Sequence, residues 1–397
     1  MPTTKKSSRF LARSAFAPAL VALIIGIGFT SARLVHFDGD PSRFVVAGDK
    51  YANPTEVPAE LHVQRNSTGY DGQFFYRLSR APFADERTDF GITFDAGPAR
   101  QQRIAYPLLV WTLHRLGLGS VPWLLIIVNL ACFAGLGFMG ALIARDLNRS
   151  PWWGLIVPLY PGFIVTTALD LAECLAALLL LIGVRALIGK RWGAAAIAFT
   201  AAALTRETTL IVPGGLLLAS LLQRHTTGGR RPEGRTVPWF VFVVPIAVVF
   251  SWQCFLWSRW GSHPFFSAGR QFSFPFYSAA RQVSTRFSHH TAEDLFQLME
   301  FLLLTILVIR GLQLLSRLEV AADLRVPLIV AAIFMTTFPA ELWLSQTNFL
   351  RASVEPAMLS MVVLLEAAPE SLPTIGMATA LFGFANMAVW AGVGRFP

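Results

Sequence analysis

Long apolar runs, each closed by a short polar or basic break, recur along almost the whole chain. Runs at 14–32, 121–144, 151–169, 172–189, 192–206, 208–223, 238–258, 295–316, 326–345, 353–368 and 372–394 read as membrane-spanning helices, about eleven in all. A bilayer core asks for about 20 apolar residues in a helix, so the runs between 172 and 223 are short for a span and their ends are soft. Residues 104–118, IAYPLLVWTLHRLGL, are too short to cross and carry His114 and Arg115, so they read as an interfacial helix. Two long polar stretches break the series, 33–120 and 259–294. The pattern predicts an all-α polytopic membrane protein, one unit over 1–397, with a long first loop carrying juxtamembrane helices.

Composition agrees. The 397 residues are 54% hydrophobic and 14% charged, with mean hydropathy +0.52, whereas soluble chains are about 25% charged. A net charge of +9 in such a chain is read by position and not as a nucleic-acid footprint. Cys132, Cys174 and Cys254 lie in apolar runs and form no CxxC pair, which argues against redox chemistry. Lys5, Lys6, Arg9 and Arg13 precede the first apolar run, and Thr30-Ser31-Ala32 imitates a signal-peptidase site. In a chain of many spans, the preferred reading is an uncleaved first helix.

With the N-terminus in the cytoplasm, the inner breaks hold Arg145, Arg149, Arg185, Lys190 and Arg191, then Arg224, Arg230, Arg231 and Arg235, and finally Arg310, Arg317 and Arg325. The positive-inside rule fits this orientation in a plasma (inner) membrane. The stretches 33–120 and 259–294 then face the periplasm or exterior. Asp38, Asp40, Asp71, Asp170, Glu173, Glu207 and Glu355 all fall on or just within that face. Acids at a membrane edge are costly and usually functional; the plain alternative is that outer loops, poor in basic residues, fill with acids. No GxGxxG after a strand, no Walker-type loop and no HExxH occurs, which leaves no soluble nucleotide-binding domain. His289-His290 makes a poor metal pair, because adjacent side chains on a helix point apart. No metal ligands are assigned.

One polar stretch stands out, YDGQFFYRLSR at 70–80. Phe74, Phe75 and Leu78 share one helical face, with Gln73, Arg77 and Arg80 largely opposite, and Pro82 follows. The spacing predicts a two-turn amphipathic helix lying on the outer membrane surface, aromatics down and arginines up. Asp71 at its start is explained as an N-cap alone. A carboxylate there also stays ionised at neutral pH and could accept a hydroxyl proton.

This acid and aromatic helix, followed by RIAYPLLVW at 103–111, resembles the GT-C superfamily of multi-span glycosyltransferases. It is most similar to the GPI-type mannosyltransferases and their bacterial relatives, which carry a Trp-Asp acid motif and a later Phe-Pro-x-Tyr-Pro segment. Tyr70 stands where those have tryptophan, and Ile104-Ala105-Tyr106-Pro107 keeps the tyrosine-proline part. The resemblance implies a GT-C-like fold and transfer of mannose or another hexose from a polyprenyl-phosphate donor, with inversion, at the outer face. The acceptor would be a cell-envelope glycolipid or glycopolymer. Asp71 would be the base. In many members the acid follows the first span closely, and here HFDGD (36–40) occupies that place, so Asp38 and Asp40 compete with Asp71. Asp71 is preferred because the aromatic helix follows it. Asp38-Gly-Asp40 also forms a DxD, a metal motif in soluble glycosyltransferases; no cofactor is expected to be required, with Mg or Mn as the alternative.

Arginine suits phosphate because its planar fork donates two bonds. Arg103, Arg206 and Arg351 are the phosphate candidates, with Arg270 and Arg281 further options. Glu207 would orient Arg206, Asp170 and Glu173 share a helix face at i, i+3, and Tyr70, Gln73 and Tyr106 complete the substrate-binding set. The expected partners are the lipid-phosphate sugar donor, a lipid or glycan acceptor and the bilayer, with no nucleic acid. The main rival is a polyprenyl-lipid or solute transporter, whose ionisable residues sit near the midplane at broken helices. A third reading is a non-catalytic scaffold of an envelope-polymer assembly.

Overall fold

The computed structural model describes residues 4–226, 237–267, 272–289 and 291–392. Arg270, His290 and the basic linker beyond Thr226 lie outside the described residues. The chain is helical almost throughout. In order come α1 (Thr4–His36), α2 (Gly72–Arg80), α3 (Gly97–Gln101), α4 (Ala105–Arg115), α5 (Val121–Asp146) and α6 (Pro161–Ala168). Next are α7 (Glu173–Ile188), α8 (Trp192–Thr205), α9 (Ile211–Thr226), α10 (Phe240–Trp260), α11 (Pro264–Ser267) and α12 (Tyr277–His289). The series ends with α13 (Ala292–Gln313), α14 (Arg325–Thr336), α15 (Ala340–Leu344), α16 (Gln346–Ala352), α17 (Val354–Ala367) and α18 (Leu372–Trp390). Two tiny sheets lie in the first loop: β1 (Ala47–Gly48) parallel to β2 (Val63–Gln64), and β3 (Thr88–Asp89) antiparallel to β4 (Ile92–Thr93).

Among the described residues, five helices are long and apolar enough to cross a membrane: Ala15–His36, Val121–Asp146, Phe240–Trp260, Ala292–Gln313 and Pro369–Trp390. A sixth is obtained if α16 and α17, bent by 51° at their junction, count as one span. The expected eleven are therefore supported only to this number. The reason is local. Pro151, Pro158 and Pro161 break the run at 151–169 into a 3₁₀ turn, Pro151–Ile156, and the eight-residue α6. Helix α7 has 16 residues and α8 has 14. At 1.5 Å per residue these reach about 24 Å at most, short of a hydrocarbon core of about 30 Å.

The long helices show how an apolar environment is met. On α1, Ala15, Ala22 and Phe29 are buried at a spacing of seven, while Phe16, Leu20, Ile24 and Ile27 are exposed on the other side. The inner seam packs on α5 through small residues. A Cβ at Gly137 would stand 3.0 Å from the Ala22 Cβ, so the two backbones approach as they do where lipid offers no hydrophobic push. Arg33 closes the bundle at the end of α1: its Nη1 donates to the Trp390 carbonyl at 2.6 Å, and its guanidinium lies 4.7 Å from the Phe37 ring centroid.

The first loop is a folded cap, and α2 is its core rather than a surface helix. Residues 72–79 are all buried. Phe75 meets Tyr106 of α4 edge-on at 5.4 Å, and Phe74 lies between Tyr51 and Phe94 at 5.7 and 5.8 Å. The expectation that Arg77 faces water fails because its charge finds partners inside. It donates to the carbonyls of Arg87, at 2.7 Å, and Glu86, and stacks 3.7 Å from the Phe94 ring. Arg80 reaches Glu60 at 2.7 Å. The short helix expected within 104–118 forms as α4, with Tyr106, Pro107 and Val110 buried.

Candidate functional site

A cavity of about 870 Å³ opens between the cap and the helical body. One wall carries Asp71, Arg100, Arg103, Arg206, Glu207 and Arg351; another carries Phe265, Phe272, Phe334 and Phe338. Asp71 precedes α2, Arg100 lies in α3, Arg103 just beyond it, and Arg351 in α16. Arg206 and Glu207 sit in the break between α8 and α9.

The cap expected of Asp71 on α2 does not form, since its side chain makes no cap hydrogen bond. Instead its Oδ1 accepts from Arg100 Nη1 at 2.7 Å and its Oδ2 from Arg351 Nη2 at 2.7 Å, with Arg103 Nη1 at 4.0 Å. Each arginine is anchored from behind. Asp95 takes Arg100 Nε and Nη2 at 2.9 and 2.7 Å. Glu207 takes Arg103 Nε and Nη2 at 2.9 and 2.7 Å. Glu173 takes Arg351 Nε at 2.8 Å. Arg206 Nη1 donates to the Arg351 carbonyl at 2.7 Å and stands 3.6 Å from Glu355, which accepts from the Thr208 hydroxyl at 2.6 Å. Tyr70 donates to Asn348 and lies under the Arg351 guanidinium at 5.3 Å.

The electrostatics follow from this mesh. Burial pushes the Asp71 carboxyl up, but Arg100, Arg351 and Arg103 together reverse that and hold it well below the usual carboxylate range. Arg100 is raised in turn: burial works against its charge and Asp71 and Asp95 overcome it.

A close backbone approach favours glycine at position 72. A Cβ there would stand 2.6 Å from both the Leu169 and Val45 carbonyl oxygens, so α2 seats Asp71 against the loop after α6. Gln73, also expected at the site, lines the cavity while holding the cap: its Nε2 donates to the Thr68 carbonyl at 3.0 Å and its Oε1 accepts from the Gly48 N–H at 3.2 Å.

Of the residues nominated from sequence, the fold thus brings Tyr70, Asp71, Gln73, Arg103, Arg206, Glu207 and Arg351 to one cavity, with Glu173 directly behind. Four stand apart. Asp38 is exposed in a left-handed turn, φ 53°. Asp40 accepts from the Ser42 N–H at 2.9 Å and the Ser42 hydroxyl at 2.7 Å and lines a different cavity, with Glu60, His62, Arg65 and Trp123. Tyr106 is buried under α2, bonded to Asn129 at 2.9 Å and the Leu125 carbonyl at 3.3 Å. Asp170 is fully buried at φ 49°, away from the cavity and beside Asn129. Among the described residues no three His, Cys, Asp or Glu side chains are grouped as metal ligands would be, and Asp40 is committed to its turn.

Sequence reasoning passed over Asp95 and Arg100. The signal was present in FDAGPARQQR, where two arginines three apart follow an acid by five positions, immediately before the tyrosine-proline segment. No protein-family model matches this chain, and no curated protein matches it.

Proposed function

We propose that the protein is a membrane glycosyltransferase that moves a hexose, mannose being one candidate, from a polyprenyl-phosphate donor to a glycolipid or glycopolymer acceptor. The observation that carries this reading is the cavity, where the Asp71 carboxylate lies amid the guanidinium groups of Arg100, Arg103 and Arg351 and phenylalanines also form the lining. Guanidinium forks suit a phosphate, and the aromatic wall suits the first prenyl units. Asp71 takes the acceptor hydroxyl's proton as its oxygen attacks the anomeric carbon, and the leaving phosphate stays with the arginines. Attack opposite the leaving group inverts the anomeric centre. The protein's own groups supply both roles.

The site faces the periplasm or exterior of a plasma membrane. In support, Arg145, Asp146 and Arg185 gather at the C-terminal end of α5, with Arg185 2.7 Å from Asp146. Arg149 there donates to the carbonyls of Leu365 and Glu366 at 3.0 and 3.1 Å. The cap packs at the other end of α5, where Tyr106 meets Leu125. Under the positive-inside rule the basic end is cytoplasmic.

The test is transfer of labelled sugar from a synthetic polyprenyl-phosphate donor by the purified protein in proteoliposomes. Asp71→Asn should lower the rate about 10²–10⁴-fold, the usual worth of a general base, with membrane insertion intact. Wild-type rate in that variant would remove Asp71 from the chemistry. The transporter reading keeps one observation of its own: Glu300, buried on α13, is bonded to Asn386 of α18 and, at 2.8 Å, to Gln346 of α16. Uptake of labelled lipid or solute without covalent transfer would favour it.

A further inference from the structure

A general base needs a lone pair open to the substrate and a proton affinity that matches the task. In this arrangement each oxygen of Asp71 already accepts from one guanidinium, and the three positive neighbours hold its proton affinity low. Arg100 holds one oxygen and Arg351 the other, and the third guanidinium, that of Arg103, stands 4.0 Å from the second. Among the described residues, the charged groups within 4.0 Å of the carboxylate belong to one mesh: Arg100 of α3 with Asp95 just upstream, Arg103 with Glu207 behind it, and Arg351 of α16 between Glu173 and the Tyr70 ring. The carboxylate is therefore clasped on both oxygens while still opening on the cavity, with its side chain 19% exposed.

We propose that Arg100 and Arg351 keep Asp71 as an idle ion pair until the phosphate of a membrane lipid draws them onto itself, so that the base is freed only when the donor is seated. The inference rests on the glycosyl-transfer reading for the identity of the phosphate and goes beyond it in coupling donor binding to base release. The donor's phosphodiester matches a carboxylate in charge and adds its ester oxygens to two free ones, and it gains a second charge as the sugar leaves, so it competes for the forked donors and holds them through the step. Arg100 and Arg351 would swing, not detach, because Asp95 and Glu173 hold their far nitrogens at 2.7 and 2.8 Å. Losing two charged donors and gaining an anionic neighbour both raise the proton affinity of Asp71. The step then balances. The acceptor O–H proton passes to Asp71, the acceptor oxygen bonds to the anomeric carbon, and the bond from that carbon to the phosphate oxygen breaks with its electron pair on the phosphate, beside Arg100 and Arg351. Without a donor, no acceptor hydroxyl and no water is activated.

The experiment is a carboxyl titration of the whole protein in detergent. A water-soluble carbodiimide with an amine labels protonated carboxyls, and mass spectrometry follows the Asp71 peptide across a pH series. Farnesyl phosphate is the probe, farnesol and inorganic phosphate the controls, and the exposed Glu56 the internal reference. Farnesyl phosphate should carry the Asp71 labelling midpoint up into the ordinary carboxylate range, read as a gain in labelling of about tenfold or more near pH 5, and leave Glu56 unmoved. Farnesol should do nothing. Inorganic phosphate giving the full shift assigns the site to free phosphate and overturns the lipid part. An unchanged or lowered midpoint with farnesyl phosphate overturns the whole. Arg100→Gln should raise the midpoint without any phosphate and shrink the response, and Arg100→Lys should restore part of it. If Arg100→Gln fails to fold, the titration of the native protein decides alone. Labelling needs no sugar transfer, so the outcomes separate: a shift without transfer sinks the glycosyltransferase reading only, and transfer without a shift sinks the clasp only.

Discussion

Replacing Gly72 by alanine tests whether the seat of Asp71 depends on a close backbone approach. The new methyl would begin 2.6 Å from two carbonyl oxygens, those of Leu169 and Val45, where ordinary contact starts at 3.4 Å. The shortfall is 0.8 Å against each (3.4 − 2.6), and neither neighbour is a flexible side-chain tip. Overpacking of this kind costs about 1–3 kcal/mol. Alanine is the better helix former by up to about 1 kcal/mol, so the net loss should fall at about 0–3 kcal/mol. The geometric effect should exceed the energetic one. Gly72 is the first residue of α2 and the neighbour of Asp71, so relief of the clash moves the carboxylate several tenths of an ångström or more from Arg100 and Arg351. A displacement near 1 Å at a reacting group costs about a hundredfold in rate. Thermal unfolding in detergent and sugar transfer should be measured on the same preparation. Transfer should fall far more than the unfolding temperature does. A Gly72→Ala protein with native stability and native transfer would show that this approach does not position Asp71.

Two further substitutions separate cap from site. Asp40→Ala removes the bonds to the Ser42 N–H and hydroxyl and should cost about 1 kcal/mol of stability, seen as a small fall in unfolding temperature, with transfer retained; loss of transfer without loss of fold would return Asp40 to the chemistry. Arg77→Leu removes the side-chain donor from the Glu86 carbonyl, leaves the Arg87 carbonyl with the Phe94 N–H alone and removes the stack on Phe94, so protease cleavage within 82–94 should quicken several-fold while the spanning helices stay protected.

Much of the helical frame was legible. The runs at 14–32, 121–144, 238–258, 295–316 and 372–394 match the five long helices, because unbroken hydropathy over that length is hard to bury in any form but a spanning helix. What hydropathy cannot register is a proline-broken run such as 151–169, which stays apolar while ceasing to be one helix. The site was half legible for a related reason. Arg103, Arg206, Glu207 and Arg351 could be nominated because charge near apolar runs is conspicuous. Asp95 and Arg100 lie in a polar loop, where charge is unremarkable until the fold closes it over Asp71. Helix α2 was misjudged because periodicity identifies two faces but not what covers them. The partners of Arg77 come from residues 86–94, a segment with no pattern of its own.

The short helices and the site are one fact seen twice. Glu173 opens α7 just after the left-handed turn at Asp170, Arg206 and Glu207 fill the break between α8 and α9, and Arg351 precedes the 51° bend between α16 and α17. An unbroken helix bonds its backbone internally and presents side chains only sideways. A break frees backbone carbonyls and lets a side chain leave along the helix axis, as Arg206 does in donating to the carbonyl of Arg351. In an apolar surrounding such irregular backbone survives only where protein or an aqueous cavity covers it. Two of these breaks line one cavity with ionisable side chains, the third sets Glu173 behind Arg351, and the folded cap supplies a further side with Asp71 and Arg100. The sequence that shortens these helices is therefore the sequence that builds the cavity.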